Sequence, residues 1–213
     1  MSQRRKQIIE RAASIVYRQG FGGTTIADVL SAASVGKGNF YHYFRGKEDL
    51  GLAIIDSLAR EFAGHDLDEI FATQKPPLKR LTDYLEIVRS ARHAANCGDP
   101  LCTLASELGL IRPFSEHLRT AMAAVLDRFE ALVSEAALEK GVKVDAKAIA
   151  RELLAQIHGL CVQYKVSGEA AAFDAGIGGV PALVGVAVDD AKRRRTARLD
   201  GVSSIVGQDL RRE

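Results

Sequence analysis

No stretch of this 213-residue chain alternates apolar and polar residues with period two; its apolar residues recur at three- and four-residue spacing. That spacing gathers them on one face of an α-helix and leaves no strand from which to build a sheet. The chain is therefore expected to be all-α, and its punctuation divides it into about nine helices. Residues 3–19 place Ile8, Ile9, Ala12, Ala13, Ile15 and Val16 at helical spacing and stop at Gly20. Thr24 and Thr25 can cap a short helix over 25–33, and a second short helix covers 37–43. Lys47 opens a longer one to about 62, with Glu48 and Asp49 in the first turn, where the helix dipole favours acids. Pro76 and Pro77 start the next, to about 95, as prolines can at first-turn positions. Further helices are expected over 101–109, 113–140, 145–166 and 169–191.

Charge is distributed unevenly. Residues 1–50 carry eight Lys and Arg against four acids, and the tail from Lys192 carries seven against three. With a total of only +2, the middle of the chain is net −6 between two ends of +4 each. A basic end on an acidic body suits a polyanionic partner, although scattered surface charge would give the same sum. The longest apolar run, VPALVGVAV from Val180, falls short of the roughly 20 residues that cross a bilayer, and no signal-peptide pattern opens the chain. The expected location is the cytoplasm. Three cysteines, Cys97, Cys102 and Cys161, are too few and too scattered for a disulfide framework.

Two short helices joined by a tight turn, after one longer helix, make a helix-turn-helix, whose second helix enters the major groove of DNA. The second helix here lies in GKGNFYHYFRGKEDL, residues 36–50. Five consecutive residues from Phe40 to Phe44 cannot all face a core, because successive helical positions point in different directions. Phe40 and Phe44, four apart, share one face and can pack inward. Tyr41, His42 and Tyr43 are then left toward the groove and the phosphate walls. At the start of the helix, Lys37 can reach guanine or a phosphate, Gly38 allows close backbone approach, and Asn39 can pair with adenine. Lys47 adds a cation at the start of the following helix.

Over about residues 5–60 the sequence resembles the TetR family of bacterial transcriptional repressors. The resemblance rests on an Ile-rich first helix, on GFGGTTIADV, and on GKGNFYHYF followed by KEDL. It implies an N-terminal DNA-binding domain over 1–50, linked by helix 47–62 to a ligand-binding and dimerisation domain over 51–191, with 192–213 a basic tail. It implies phosphate contacts from Thr24 or Thr25, Tyr43 and Lys47, and contacts on or near bases from Lys37, Gly38, Asn39, Tyr41 and His42. Two turn positions depart from the family's pattern: Ser34 stands where glycine is usual, and Gly36 where serine is usual. A non-glycine residue in a left-handed turn costs on the order of 1 kcal/mol. Gly46 also replaces the usual Ser or Asn.

Dimeric helix-turn-helix proteins read half-sites about 34–36 Å apart, so a homodimer is expected. Its interface is expected on the last two long helices, through Ile149, Leu153, Ile157, Leu160 and Tyr164 on one and Phe173, Ile177, Val180 and Val184 on the other. The same side chains could instead form intramolecular core. The resemblance also implies a pocket for a small-molecule inducer among the middle helices. Tyr84, Glu107, His117, Gln156 and His158 could orient a polar group there, though each could equally be an ordinary packed or surface residue. In one branch of the family a GCL segment lies over the pocket; here it reads CGDPLC, with Asp99 at that branch's cysteine position. His93 and Cys97, i and i+4, with Cys102 nearby, could hold a soft metal, or Cys102 could react with an oxidant or electrophile; a buried cysteine behaves as a small hydrophobe. The middle carries no nucleophile–base pair, phosphate loop or metal signature. No cofactor, no resident metal and no enzymatic activity are therefore expected. A trigger at Cys102 remains the first alternative, and a helical enzyme or cofactor-binding protein a remote one.

Overall fold

The computed structural model describes residues 2–63, 70–71, 74–91 and 100–209, and among these every regular element is a helix. In chain order they are α1 (Gln3–Gly23), α2 (Ile26–Ala33), α3 (Lys37–Tyr43), α4 (Lys47–Ala63), α5 (Pro77–Ala91), α6 (Pro100–Leu108), α7 (Phe114–Glu139), α8 (Ala146–Ser167) and α9 (Ala170–Asp209). Among the described residues the all-α expectation and its nine helices hold. His93 and Cys97 lie outside the described residues.

The first three helices form a small unit around Ile8, Ile9, Ala12, Val29, Ala33, Phe40 and Phe44, all buried. Ser2 caps α1 by accepting from Arg5 N at 3.2 Å. Gly20 does not end this helix as its position suggested. It takes φ 79° and ψ 160°, kinks the chain, and lets a further turn run to Gly23. A positive φ of this kind is open to glycine at no steric cost.

Helix α4 carries the chain from this unit into the body. It buries Leu50, Ile54, Ile55 and Leu58, and packs on α1 on one side and on α7 on the other. The body is layered. Helix α7 lies between α4, α5 and α8, and α8 packs on α9. Tyr84, Phe71 and Phe129 meet edge-on or tilted at its centre, with Tyr84 and Phe129 5.2 Å apart. Arg80, 5 % exposed, ties this region together by donating to the Phe71 carbonyl at 2.6 Å and pairing with Glu135 on α7. Asp145 caps α8 by accepting from Ala148 N at 2.9 Å, and Gly168 closes it in the left-handed conformation.

The end of the chain differs from expectation. The helix expected to stop near 191 continues through the basic stretch to Asp209. Its apolar part, 170–194, has a mean hydropathy of 1.7 over its best window, with only 28 % of that window buried. By length and composition this one helix could span a membrane, which the contiguous run from Val180 alone did not suggest. The small residues Ala175, Gly176, Gly178 and Gly179 extend the apolar character without adding bulk.

Candidate nucleic-acid interface

Helix α2 begins with a reciprocal cap. Asp28 N donates to Thr25 Oγ1 at 3.1 Å, and Thr25 N donates back to Asp28 Oδ2 at 2.8 Å. The Thr25 hydroxyl also donates to Asp28 Oδ2, at 2.8 Å. Together, the backbone and side-chain hydrogen bonds from Thr25 hold the Asp28 carboxyl below its ordinary range. Helix α2 ends at Ser34, which takes φ 52° and ψ 50°. Its N–H donates to Ser31 O at 3.2 Å and Val35 N donates to Leu30 O at 3.0 Å, so the last carbonyls of α2 are satisfied. The turn geometry that Ser34 left in doubt is thus the left-handed one, held without glycine. Gly36 then caps α3 through its backbone alone.

Helix α3 divides by direction as its spacing required. Phe40 and Phe44 are 0 % and 1 % exposed, their rings 5.4 Å apart. Arg5 of α1 lies over Phe44 at 5.2 Å. Lys37, Gly38, Asn39, Tyr41 and His42 are exposed, and Tyr43 is half-buried against the core with its ring 4.7 Å from that of His42. The structure thus leaves Lys37, Gly38, Asn39, Tyr41 and His42 outward along α3, backed by two buried phenylalanines.

Of the three flanking residues expected at phosphates, Thr24 is 3 % exposed and its hydroxyl donates to Gly20 O at 2.7 Å. That hydroxyl is committed inside the fold and closes the kink; the surface position belongs to Thr25. Thr25 is exposed, but both its donors face Asp28, so a phosphate contact has to displace that carboxylate from the hydroxyl. Lys47 is half-buried. Its Nζ donates to Gly22 O at 3.1 Å and lies 4.7 Å from the Phe21 ring centroid.

Residues 8–67 match the family model described as bacterial regulatory proteins, tetR family. Over those residues the chain belongs to the TetR family. An HTH-type transcriptional regulator from the lacX 3′ region of Lactococcus lactis is 28 % identical over 76 % of the chain and 84 % of its own length. The HTH-type transcriptional repressor NemR of Escherichia coli is 29 % identical over 64 % of the chain and 68 % of its own length. The crystal structure of its reduced form superposes with a TM-score of 0.72, covering 84 % of this chain and 95 % of that one at 21 % identity. A regulatory protein TetR from Rhodobacter sphaeroides superposes with a TM-score of 0.77 at 26 % identity, covering 85 % of this chain and 99 % of that one. Among the curated relatives the aligned share of the relative runs from 84 % down to 26 %, so this chain spans less than two thirds of some of them.

Within the body, the residues expected to orient an inducer do not converge. Tyr84 is 4 % exposed and packed edge-on against Phe129. Glu107 is exposed on α6 and faces away from the body's interior: its Oε2 accepts from Phe21 N at 2.7 Å and its Oε1 from Gly22 N. His117 pairs through Nδ1 with Asp56 Oδ1 of α4 at 2.8 Å, at the surface. Both are junction residues between body and α1 or α4. Which way a helical side chain leans across to another helix is not written in its own segment, so sequence reading missed this. Gln156 is half-buried on α8 and its Oε1 is buried without a hydrogen-bond partner; His158 is half-buried on the same helix, and Cys102 half-buried on α6. Among the described residues no three His, Cys, Asp or Glu side chains are grouped to hold a metal.

The residues expected at a dimer interface lie mostly inside the single chain. Leu153, Ile157, Phe173, Ile177, Val180 and Val184 are at most 2 % exposed within a single chain, and Ile149, Leu160 and Tyr164 pack partly buried on the same core. Large side chains on α8 and α9 fill the protomer's own interior, where packing demands volume. The outward rows are different. On α8 they hold Ala155, Gly159, Val162 and Val166, and on α9 Ala172, Ala175, Gly179, Ala182 and Val186, all exposed. Val166 is 86 % exposed. An open groove of about 470 Å³ beside these rows is lined in part by Leu160, Tyr164 and Phe173, whose edges reach it. Two stripes at helical spacing run along each helix, a bulky one turned inward and a smaller one turned outward.

Proposed function

We propose that the chain acts in the cytoplasm as a homodimeric repressor that reads a palindromic DNA operator and leaves it when a small molecule binds the body. The observation that carries this reading is the outward row of α3. Lys37, Asn39, Tyr41 and His42 stand exposed on a helix fixed from behind by Phe40 and Phe44. A rigid backing with polar, cationic and aromatic groups in front is what base-edge and phosphate contacts need. Lys37, Gly38 and Asn39 meet bases, Tyr41 and His42 lie on or near them, and Thr25, Tyr43 and Lys47 hold phosphates. Two such helices, one per subunit, fall in successive major grooves when α8 and α9 of two copies pack face to face as a four-helix bundle. The exposed small and apolar rows of these helices support that arrangement, because glycine and alanine let helix axes approach closely. Release is a shift between a spacing that fits the DNA and one that does not. Moving that balance from 1:99 to 99:1 takes about 5.5 kcal/mol of differential ligand binding.

Selection of bound sequences from a random duplex pool by the purified protein, at near-physiological salt, tests the reading. Recovery of a palindrome with half-sites about one helical turn apart supports it. Recovery of nothing, with and without cell extract present, refutes it and returns the chain to the class of helical binding proteins or enzymes.

A second reading keeps the DNA binding and makes the trigger covalent, at Cys102. It draws on the similarity to NemR, whose structure is described as a reduced form, and on the position of Cys102 half-buried on α6, the helix that also carries Glu107. Cys102→Ser separates the two. A variant that still leaves DNA on treatment with an electrophile removes this reading.

A further inference from the structure

The turn from Phe21 to Gly23 sits between the reader and the body, and its polar groups are claimed from both sides. Gly20 breaks α1 at φ 79°, and the N–H groups of Phe21 and Gly22 lie just beyond the break. The Glu107 carboxylate takes both, one oxygen to each. The fit is close. A Cβ built on Gly22 would lie 3.0 Å from Glu107 Oε1, and one on Gly20 3.2 Å from Oε2. From the other side, the Lys47 ammonium donates to the Gly22 carbonyl at 3.1 Å and covers the Phe21 ring. The far edge of that ring meets Phe114 of α7, centroids 5.3 Å apart.

Resting on the DNA-binding reading above, we propose that Glu107 is the positioning residue through which the body sets the phosphate contact made by Lys47. An ammonium has three donors. In this structure one is spent on Gly22 O and the ring holds the same group from below, so a further donor is left at a defined place beside the start of α4. A long, flexible side chain that would otherwise sample many rotamers is thus aimed before DNA arrives, and preorganisation of this kind raises affinity. The aim depends on Gly22, and Gly22 depends on Glu107. Helix α6 is rooted in the body by Leu101, Leu104 and Leu108, all buried, so any displacement of α6 carries the carboxylate with it. Loss of the carboxylate frees the Phe21–Gly23 turn and unaims Lys47. Nothing in this chain of contacts requires Glu107 to touch DNA or a ligand.

The test is a double-mutant cycle on operator affinity, using the full-length protein and a duplex recovered by the pool selection. Glu107→Gln keeps the size of the side chain and one acceptor, but turns an N–H₂ toward the second backbone N–H. It should weaken binding about fivefold in the presence of Lys47 and lower the salt slope by about one contact. In a Lys47→Ala background the same substitution should change affinity less than about twofold. Glu107→Ala serves as the second variant, with far-ultraviolet circular dichroism to establish that each protein is folded. Equal losses in both backgrounds would mean that Glu107 merely supports the fold, and no loss in either would mean that the contact is idle; each result overturns the proposal. Failure of the unmutated protein to bind any duplex would instead refute the DNA-binding reading itself, and this inference with it.

Discussion

Gly51, in the second turn of α4, gives a prediction whose sign depends on packing. Replacing a glycine inside a helix by alanine ordinarily stabilises a protein, by about 1 kcal/mol. Here a Cβ would lie 2.6 Å from Phe21 Cε2 and 2.8 Å from Phe114 Cε1. Carbon atoms pack at about 3.5–4.0 Å, so one or both rings must retreat by roughly 1 Å. Neither can do so freely. Phe21 and Phe114 are 9 % and 5 % exposed and meet edge-on. Overpacking of this kind costs about 1–3 kcal/mol, which offsets the helix gain and exceeds it over most of that range. Gly51→Ala should therefore destabilise by about 1 kcal/mol and lower the melting temperature by about 2–4 °C for a chain of this size. Urea unfolding followed by circular dichroism, at fixed protein concentration, measures it. The same substitution in a Phe114→Ala background, where Phe21 has room to swing aside, should instead stabilise. A rise in stability of about 1 kcal/mol from Gly51→Ala alone would refute the packing argument, because only the helix propensity would then be acting.

Ser34→Gly should stabilise the α2–α3 turn by about 0.5–1 kcal/mol, the relief of left-handed strain less the added freedom of an unfolded glycine, seen as a higher urea midpoint; the strain argument is wrong if the midpoint falls. The Asp28 carboxyl is held below its ordinary value of 3.8 by Thr25, so its contribution is present above that value and lost as pH falls through the lowered one. The stability gap between the parent protein and Asp28→Asn should accordingly be seen at pH 7 and close on acidification below about pH 4, and a gap unchanged by pH would contradict this. Val162→Glu places a charge in the exposed apolar row of α8, where Val162 is 55 % exposed; sedimentation should show monomer in place of dimer, and an intact dimer would move the interface elsewhere.

The reader was legible because its signals are local. Phe40 and Phe44 declare their face by a spacing of four, and Thr24 and Thr25 mark a helix start; which threonine caps it, and that Asp28 answers Thr25, came only with the structure. The departures from family pattern were legible too, and Ser34 does occupy the left-handed position. The body was legible as helices but not as surfaces. On α9 the residues 173, 177, 180 and 184 and the residues 172, 175, 179, 182 and 186 both satisfy helical periodicity, and only the volume of the first set tells which one the protomer keeps for itself. Glu107 and His117 were seen as polar residues in an apolar neighbourhood. Their partners, Gly22 and Asp56, are 85 and 61 positions away, and no pattern within either segment announces a contact across that distance. Gly20 illustrates an intermediate case: the break was visible, but whether the chain would end or bend there was decided by the groups that catch the next turn.

Helix α9 leaves most of its apolar window uncovered by its own chain. A surface of that kind ties the protein's integrity to its abundance. In the homodimer proposed above, a second copy that covers it would stabilise the folded form by mass action, and dilution would remove that stabilisation. In a dividing cell, a fall in copy number would then reduce the number of chains, the fraction that stays folded and the fraction competent to occupy a two-part site, all at once. Gene control exercised by such a molecule would fade with its concentration more steeply than counting molecules alone predicts.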